Sequence, residues 1–237
     1  MVPVSKRMKA IADMVSEGLS VADIGCDHGF VDIYLVTEKK TGHAIAMDVN
    51  KGPLLRAEEH IRQYGLEKII ETRLSDGAVK LNKDEVQAAI IAGMGGRLTI
   101  RIIEESLDKF KAMKELVLSP HSDVPVVREY LCEAGFEILD EDMVFDEDKY
   151  YSIMKCTYSG VVNELTSTEY AYGPVLLKKK HPVLKEYLQM RKLKLEELAA
   201  MLEESFENAF EEKREALQER IEEVNKEKKT VEGLLQR

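Results

Sequence analysis

The sequence predicts an α/β fold: a Rossmann-like parallel sheet closed by a C-terminal antiparallel hairpin, followed by an α-helical coiled-coil arm. Three observations predict it. Up to about residue 160, short apolar runs alternate with segments of helical length, the pattern that builds a parallel sheet covered on both faces. Two strand-like runs then follow one another with only a short link, too short for a helical crossover. Beyond residue 160, apolar positions step by threes and fours, the repeat of a helix–helix seam.

In chain order, VADIG at 21–25, AIAMDV at 44–49, AAIIAGM at 88–94 and ELVLS at 115–119 read as buried strands, each closed by Gly, Asp, Asn or Ser. Residues 52–64 and 97–113 have helical length. FEILDEDMVF at 136–145 and YYSIMKCTYS at 150–159 form the antiparallel pair. In the arm, Leu184, Leu188, Arg191, Leu195, Leu198 and Leu202 mark one seam, and Phe210, Arg214, Leu217, Ile221, Val224, Lys228, Val231 and Leu235 a second. The expected division is therefore a domain over 1–160 and a helical coiled-coil domain over 161–237, the latter either monomeric or dimerising through its seam.

The chain has 237 residues and a formal net charge of -10. Taken whole, that charge argues against a nucleic-acid partner, but its distribution does not. Residues 131–148 carry eight acids and no Lys or Arg. Residues 178–194 hold Lys178, Lys179, Lys180, Lys185, Arg191, Lys192 and Lys194 against Glu186, and the N-terminus adds Lys6, Arg7 and Lys9. Such clusters suit phosphate contacts that position a nucleic acid without reading it. Cys26, Cys132 and Cys156 are odd in number and unpaired in spacing, which predicts neither a zinc site nor a disulfide framework. No secretory leader or membrane span is legible, so a cytoplasmic protein with no membrane partner is expected.

The motif that carries chemistry follows the first strand: Asp23-x-Gly25-x-Asp27-x-Gly29. Ligands of open α/β sheets bind past the carboxyl ends of the strands. A dinucleotide site would place a second glycine where Asp27 stands. A carboxylate there repels a pyrophosphate and favours a cationic ligand, such as the amino and sulfonium groups of S-adenosylmethionine. Asp48 ends the second strand, where an acid accepts both hydroxyls of a ribose. Asp76-Gly77 follows a further short strand, where an acid suits an adenine amino group.

These pieces resemble the class I S-adenosylmethionine-dependent methyltransferases, and more narrowly the bacterial tRNA (adenine-N1)-methyltransferases that modify position 22 in the D-arm. The matching stretches are SKRMKAIADMV at 5–15, VADIGCDHGFVDIYLV at 21–36, AMDVNKGPLLRAEEHI at 46–61, IIAGMGG at 90–96, EDKYYSI at 147–153 and YGPVLLKKKHPVLKEYL at 172–188. The chain departs at Ser119-Pro120-His121, where a Gln-Pro-Asn-like run is expected, and no target-base role carries over to those side chains. The resemblance implies that Asp23, Gly25, Cys26 and Gly29 line the methionine end of the cofactor, with Asp27 and His28 at its rim. It places Asp48 at the ribose, Asp76 and Gly77 at the adenine, Gly93, Met94 and Gly95 beside the methyl group, and counts Val49 among the cofactor-binding residues. Asp27, His28 and Gly95 are the catalytic candidates; Lys6, Arg7, Arg97, Lys178, Lys179, Lys180, Lys185 and Arg191 are the RNA candidates. The implied cofactor is S-adenosyl-L-methionine, leaving as S-adenosyl-L-homocysteine, with no metal, and the implied partner is tRNA. A small-molecule or protein acceptor, a non-catalytic coiled-coil scaffold and a dehydrogenase are the alternatives.

Overall fold

A computed structural model describes residues 2–208 and 210–236. The first unit contains α1 (Lys6–Met14), β1 (Val21–Ile24), α2 (Phe30–Thr37), β2 (Ala44–Asp48), α3 (Lys51–Gln63), β3 (Ile70–Leu74), β4 (Ala88–Ala92), α4 (Gly96–Glu105), α5 (Leu107–Ala112), β5 (Glu115–Ser119), α6 (Val124–Glu133), β6 (Phe136–Asp146), β7 (Lys149–Tyr158), α7 (Ser167–Tyr172) and α8 (Pro174–Lys179). Its seven strands lie in the order β3-β2-β1-β4-β5-β7-β6. The first five are parallel, and β7 runs antiparallel to both β5 and β6.

Every position of β1, β2 and β5 is buried, which is why these strands read as continuous apolar runs. Alternate side chains feed two faces. Ile24, Met47, Ile91 and Leu118 join Ile102, Phe110 and Leu131 of α4, α5 and α6. Val21, Ile90 and Val117 join Ile11 of α1 and Leu35 of α2. Each such side chain contributes about 1.5–3 kcal/mol of transfer free energy. The chain begins mid-sheet and winds outward first through β2 and β3, then through β4 and β5. That reversal opens a crevice at the carboxyl ends of β1 and β4.

Two details differ from the sequence pattern. The helical length at 97–113 is split at Ser106, whose backbone leaves helical geometry (φ -134, ψ 31). Its carbonyl then accepts from the Lys109 and Phe110 N–H groups and starts α5, which buries Phe110. The link in the hairpin is two residues: Glu147 and Asp148 both have positive φ, the geometry of a tight hairpin turn whose twist matches the strands. Farther along the hairpin, the register shifts between Ile138 and Asp140, and the extra residue, Leu139, points outward with 46% exposure, as in a β-bulge.

The units divide after α8, at Lys179–Lys180, rather than near residue 160. The cause is a buried ion pair. Arg128 of α6 and Glu141 of β6 are 1% and 0% exposed, with Nε 2.8 Å from Oε1. Arg128 also donates to the Tyr170 carbonyl, while Glu141 Oε2 accepts from the Val175 and Leu176 N–H groups at 2.9 and 3.3 Å. Gly173 (φ +89) lets the chain pass close: a Cβ there would lie 2.6 Å from Glu141 Oε2. Residues 161–179 are thus bound to the sheet.

The second unit holds α9 (Pro182–Glu207) and α10 (Glu211–Leu235). The two helices pack antiparallel, with Arg191 opposite Glu227 and Lys192 opposite Glu232. Leu184, Leu188, Leu195 and Ala199 of α9 and Val224 and Val231 of α10 are buried. Arg191 sits between helices, bidentate to Glu227 at 2.8 Å on both arms. Ala199 takes the buried place expected of Leu198, and Phe210, expected in the seam, is 84% exposed. Among the described residues no helix is long and apolar enough to cross a membrane.

Candidate active site

The β1 loop is built by backbone geometry. Gly25 and Cys26 donate to the Met47 carbonyl at 2.8 and 2.9 Å, which folds the loop over the end of β2. Gly25 has φ +81, and a Cβ there would lie 2.2 Å from the Met94 methyl carbon, so this glycine lets the β1 and β4 loops touch. Asp27 also has positive φ. Gly29 closes the loop in the left-handed region and starts α2.

Beneath the loop three acids converge. Asp23, Asp32 and Asp48 are buried. Burial first, then the Asp48 charge, pushes the Asp23 carboxyl up to about 7, while its hydrogen bond with Asp32 opposes the rise. Asp32 is held well above the carboxylate range by burial and by the Asp23 charge. It therefore keeps its proton and donates to Asp23. Burial also raises the Cys26 thiol, so that group stays protonated and is no nucleophile. Asp48 Oδ1 accepts from Asn50 N–H at 2.7 Å, and the next residue, Val49, presents an apolar side chain to solvent at 58% exposure. Asp32 was not legible as a site residue; an acid between Val31 and Ile33 in an apolar helix start was its only signal.

At the rim, Asp27 lies 3.6 Å from His28 Nε2 and 3.7 Å from Arg56. His28 stands beside Phe30 and His60, whose rings stack at 4.5 Å, and His60 Nδ1 is 2.9 Å from the His28 carbonyl. His60, an ordinary polar residue by sequence, is thus part of the rim. Asp76 is exposed and paired with Arg101 at 3.2 Å, while Gly77 packs on Ile102.

The β4 loop brings Gly93, Met94 and Gly95 to the crevice. Gly93 N–H donates to the Ser119 carbonyl, and the Met94 carbonyl accepts from His121 N–H at 2.7 Å. Gly95 caps α4. Arg7, a candidate for RNA phosphate, reaches this loop: its guanidinium lies 4.5 Å over the Tyr151 ring and is close to Gly93. Of the other basic candidates, Lys6, Arg97, Lys178, Lys180 and Lys185 are exposed. Lys179 is paired with Asp140 and Arg191 with Glu227. The three buried acids suit a ligand that brings positive charge, and the glycine turns suit close backbone approach.

Residues 4–154 match a family model described as a methyltransferase domain. A Bacillus subtilis tRNA (adenine(22)-N1)-methyltransferase is 33% identical over 193 residues, 78% of this chain and 80% of that protein. The chain belongs to this family. Within the tRNA (adenine(22)-N1)-methyltransferase family, the crystal structure of the B. subtilis enzyme is 26% identical, with a TM-score of 0.84 over 99% of this chain and 100% of that one. A Streptococcus pneumoniae protein assigned to the same activity, in complex with S-adenosyl-L-methionine, is 30% identical, with a TM-score of 0.81 over 98% and 99%.

Proposed function

We propose that this protein transfers a methyl group from S-adenosyl-L-methionine to N1 of an adenine in tRNA, at position 22 of the D-arm. The observation that carries the reading is the buried Asp23–Asp32–Asp48 cluster under two glycine loops at the sheet's crevice, in a chain with these relatives. A pyrophosphate would be repelled there, which disfavours the dehydrogenase reading.

In this reading Asp23 and the Gly25–Gly29 loop hold the methionine end, Asp48 the ribose hydroxyls, and Val49, Asp76 and Gly77 the adenine. S-adenosylmethionine supplies an electrophilic methyl on a sulfonium: the N1 lone pair forms the new C–N bond while the C–S pair stays on sulfur, giving S-adenosylhomocysteine. Neutral adenine N1 already carries its lone pair, so no side chain has to remove a proton first. The chain's contribution is alignment, which supplies roughly 7–11 kcal/mol in favourable cases. The small Gly93-Met94-Gly95 loop lets a flat base approach. Asp27, with His28 beside it, offsets the positive charge that develops on the base.

Exposed lysines of α8 and of α9, with Lys6 and Arg97, supply phosphate contacts. We read α9 and α10 as a coiled-coil arm and the setting as cytoplasmic. Changing Lys178, Lys185 and Lys194 to Gln should weaken tRNA binding and flatten its salt dependence, each lost phosphate contact lowering the slope of log K against log salt by about 0.9. An unchanged slope in filter binding between 50 and 200 mM salt would remove these residues from the interface.

The function itself is tested with labelled S-adenosylmethionine and unmodified tRNA, followed by nucleoside analysis and position mapping. N1-methyladenosine at position 22 is expected, and its absence from every tRNA with an adenine there overturns the reading. Asp48→Ala should raise the cofactor Kd by roughly 10–100-fold in calorimetry, since hydrogen bonds to a charged group are worth about 1.5–3 kcal/mol.

A further inference from the structure

On the far side of the β4 loop from the acid cluster, three side chains from three distant parts of the first unit meet. Arg7 lies in the first turn of α1, where its backbone N–H donates to Asp146 at 3.0 Å. His121 follows β5, and its ring lies 5.6 Å from that of Tyr151 on β7. The guanidinium covers the Tyr151 ring at 4.5 Å. Both Arg7 Nη2 and His121 Nε2 lie within 4 Å of the point where a Cβ on Gly93 would stand. Gly93 and His121 are exposed, so this is an open edge of the crevice. Two polar atoms here are buried without a hydrogen-bond partner among the described residues: Arg7 Nε and the Ser119 hydroxyl. Buried polar groups are nearly always satisfied, and each exception calls for an account such as a water, an ion or a ligand group.

We propose that Arg7, His121 and Tyr151 form the platform that receives the target adenine and presents its N1 across Gly93. This rests on the methyl-transfer reading above and names residues for its acceptor side. An adenine must leave its stack before N1 can react, and aromatic and guanidinium planes are the surfaces on which extruded bases stack. With N1 aimed at the methyl group, the base keeps one ring acceptor and one amino donor on its other edge. The Arg7 guanidinium, whose Nη2 lies 3.4 Å from the Gly93 Cβ point, is a donor for the first. The imidazole, whose pKa is lowered by partial burial and then by Arg7 and Lys149, stays neutral and can accept from the second. A phosphate is the poorer fit, because Arg7 feels the Asp146 and Glu147 carboxylates as well as Tyr151. The local charge of Arg7 and Lys149 is balanced by those two acids. On this proposal Arg7 meets the base rather than a phosphate.

The test uses the full chain, unmodified tRNA and four variants: Tyr151→Ala, Tyr151→Phe, Arg7→Met and His121→Ala. Loss of stacking should lower kcat/KM for tRNA roughly 5–150-fold in Tyr151→Ala, the effect of about 1–3 kcal/mol per stacked base, and Tyr151→Phe should restore most of it. Arg7→Met and His121→Ala should also lose at least fivefold. The Kd for S-adenosylmethionine should stay within twofold throughout. If Tyr151→Ala does not fold, Arg7→Met and His121→Ala carry the test. Wild-type methylation with kcat/KM within twofold in all variants overturns the platform alone, as does a parallel loss of cofactor affinity. A fall in the salt slope for Arg7→Met would return Arg7 to a phosphate and overturn the base assignment. No N1-methyladenosine from the wild type overturns the underlying reading, and the platform with it.

Discussion

Glu141→Ala should lower the melting temperature by on the order of 10 °C. Removing one partner of a buried ion pair strands the other, at a cost of about 3–5 kcal/mol, and a chain of this size shifts by roughly 2–4 °C per kcal/mol. Arg128 would keep its bond to the Tyr170 carbonyl but lose the Glu141 carboxylate. The Val175 and Leu176 N–H groups, which open α8, would lose their acceptor as well. A double variant, Arg128→Met with Glu141→Leu, should recover part of the loss, since no charge is then stranded. Recovery stays incomplete because α8 still lacks its acceptor. Calorimetry on the three proteins decides: a single variant within 2 °C of wild type would mean that the pair is solvated in solution.

The second large effect is pH-dependent and concerns Asp32. In the unfolded chain both Asp23 and Asp32 should titrate near 3.9. In the folded protein Asp23 is raised to about 7 and Asp32 is held well above the usual carboxylate range. From about pH 4 to about 7, the folded state therefore holds protons that the unfolded state has released. Stability is greatest at the acid end of that window and falls as the pH rises, by up to about 1.4 kcal/mol per unit for each proton. Asp32→Asn keeps a donor toward Asp23 and removes the second charge. The variant should be more stable than wild type at pH 8.5, by on the order of 2 kcal/mol, with the difference shrinking toward pH 5. Urea titrations of the cofactor-free protein at both pH values check the sign; equal stability at pH 8.5 would show that the two acids do not share a proton.

What was legible in the sequence follows from range. The parallel strands were readable because both faces of β1, β2 and β5 are buried, so composition alone marks them. Gly25, Asp27, Gly29 and Asp48 were readable because strand ends fix where they point. Arg7 was not: its basic neighbours suggest a solvated cation, and its partners Tyr151 and Asp146 lie more than 130 residues away. The same holds for Arg191 and Lys179, whose acids are 36 and 39 residues distant. Asp32 looked like an ordinary first-turn acid, because nothing local reveals that Asp23 lies across from it. The reach of the first unit to Lys179 was hidden for a related reason. Residues 161–179 have helical composition, but Glu141 binds their backbone, and a backbone acceptor leaves no mark on the sequence it serves.

The bond from Arg7 to Asp146 also constrains the order in which the protein can be assembled. Synthesis delivers α1 first and β6 and β7 last among the strands, so the N-terminal helix waits through some 140 residues for its acceptor. Contacts this distant in sequence form late and slowly. The cofactor loops, whose bonds reach only as far as β5 and His121, can close earlier. A growing chain would thus acquire its cofactor side before its acceptor side, and remain unable to hold a base until the hairpin has docked.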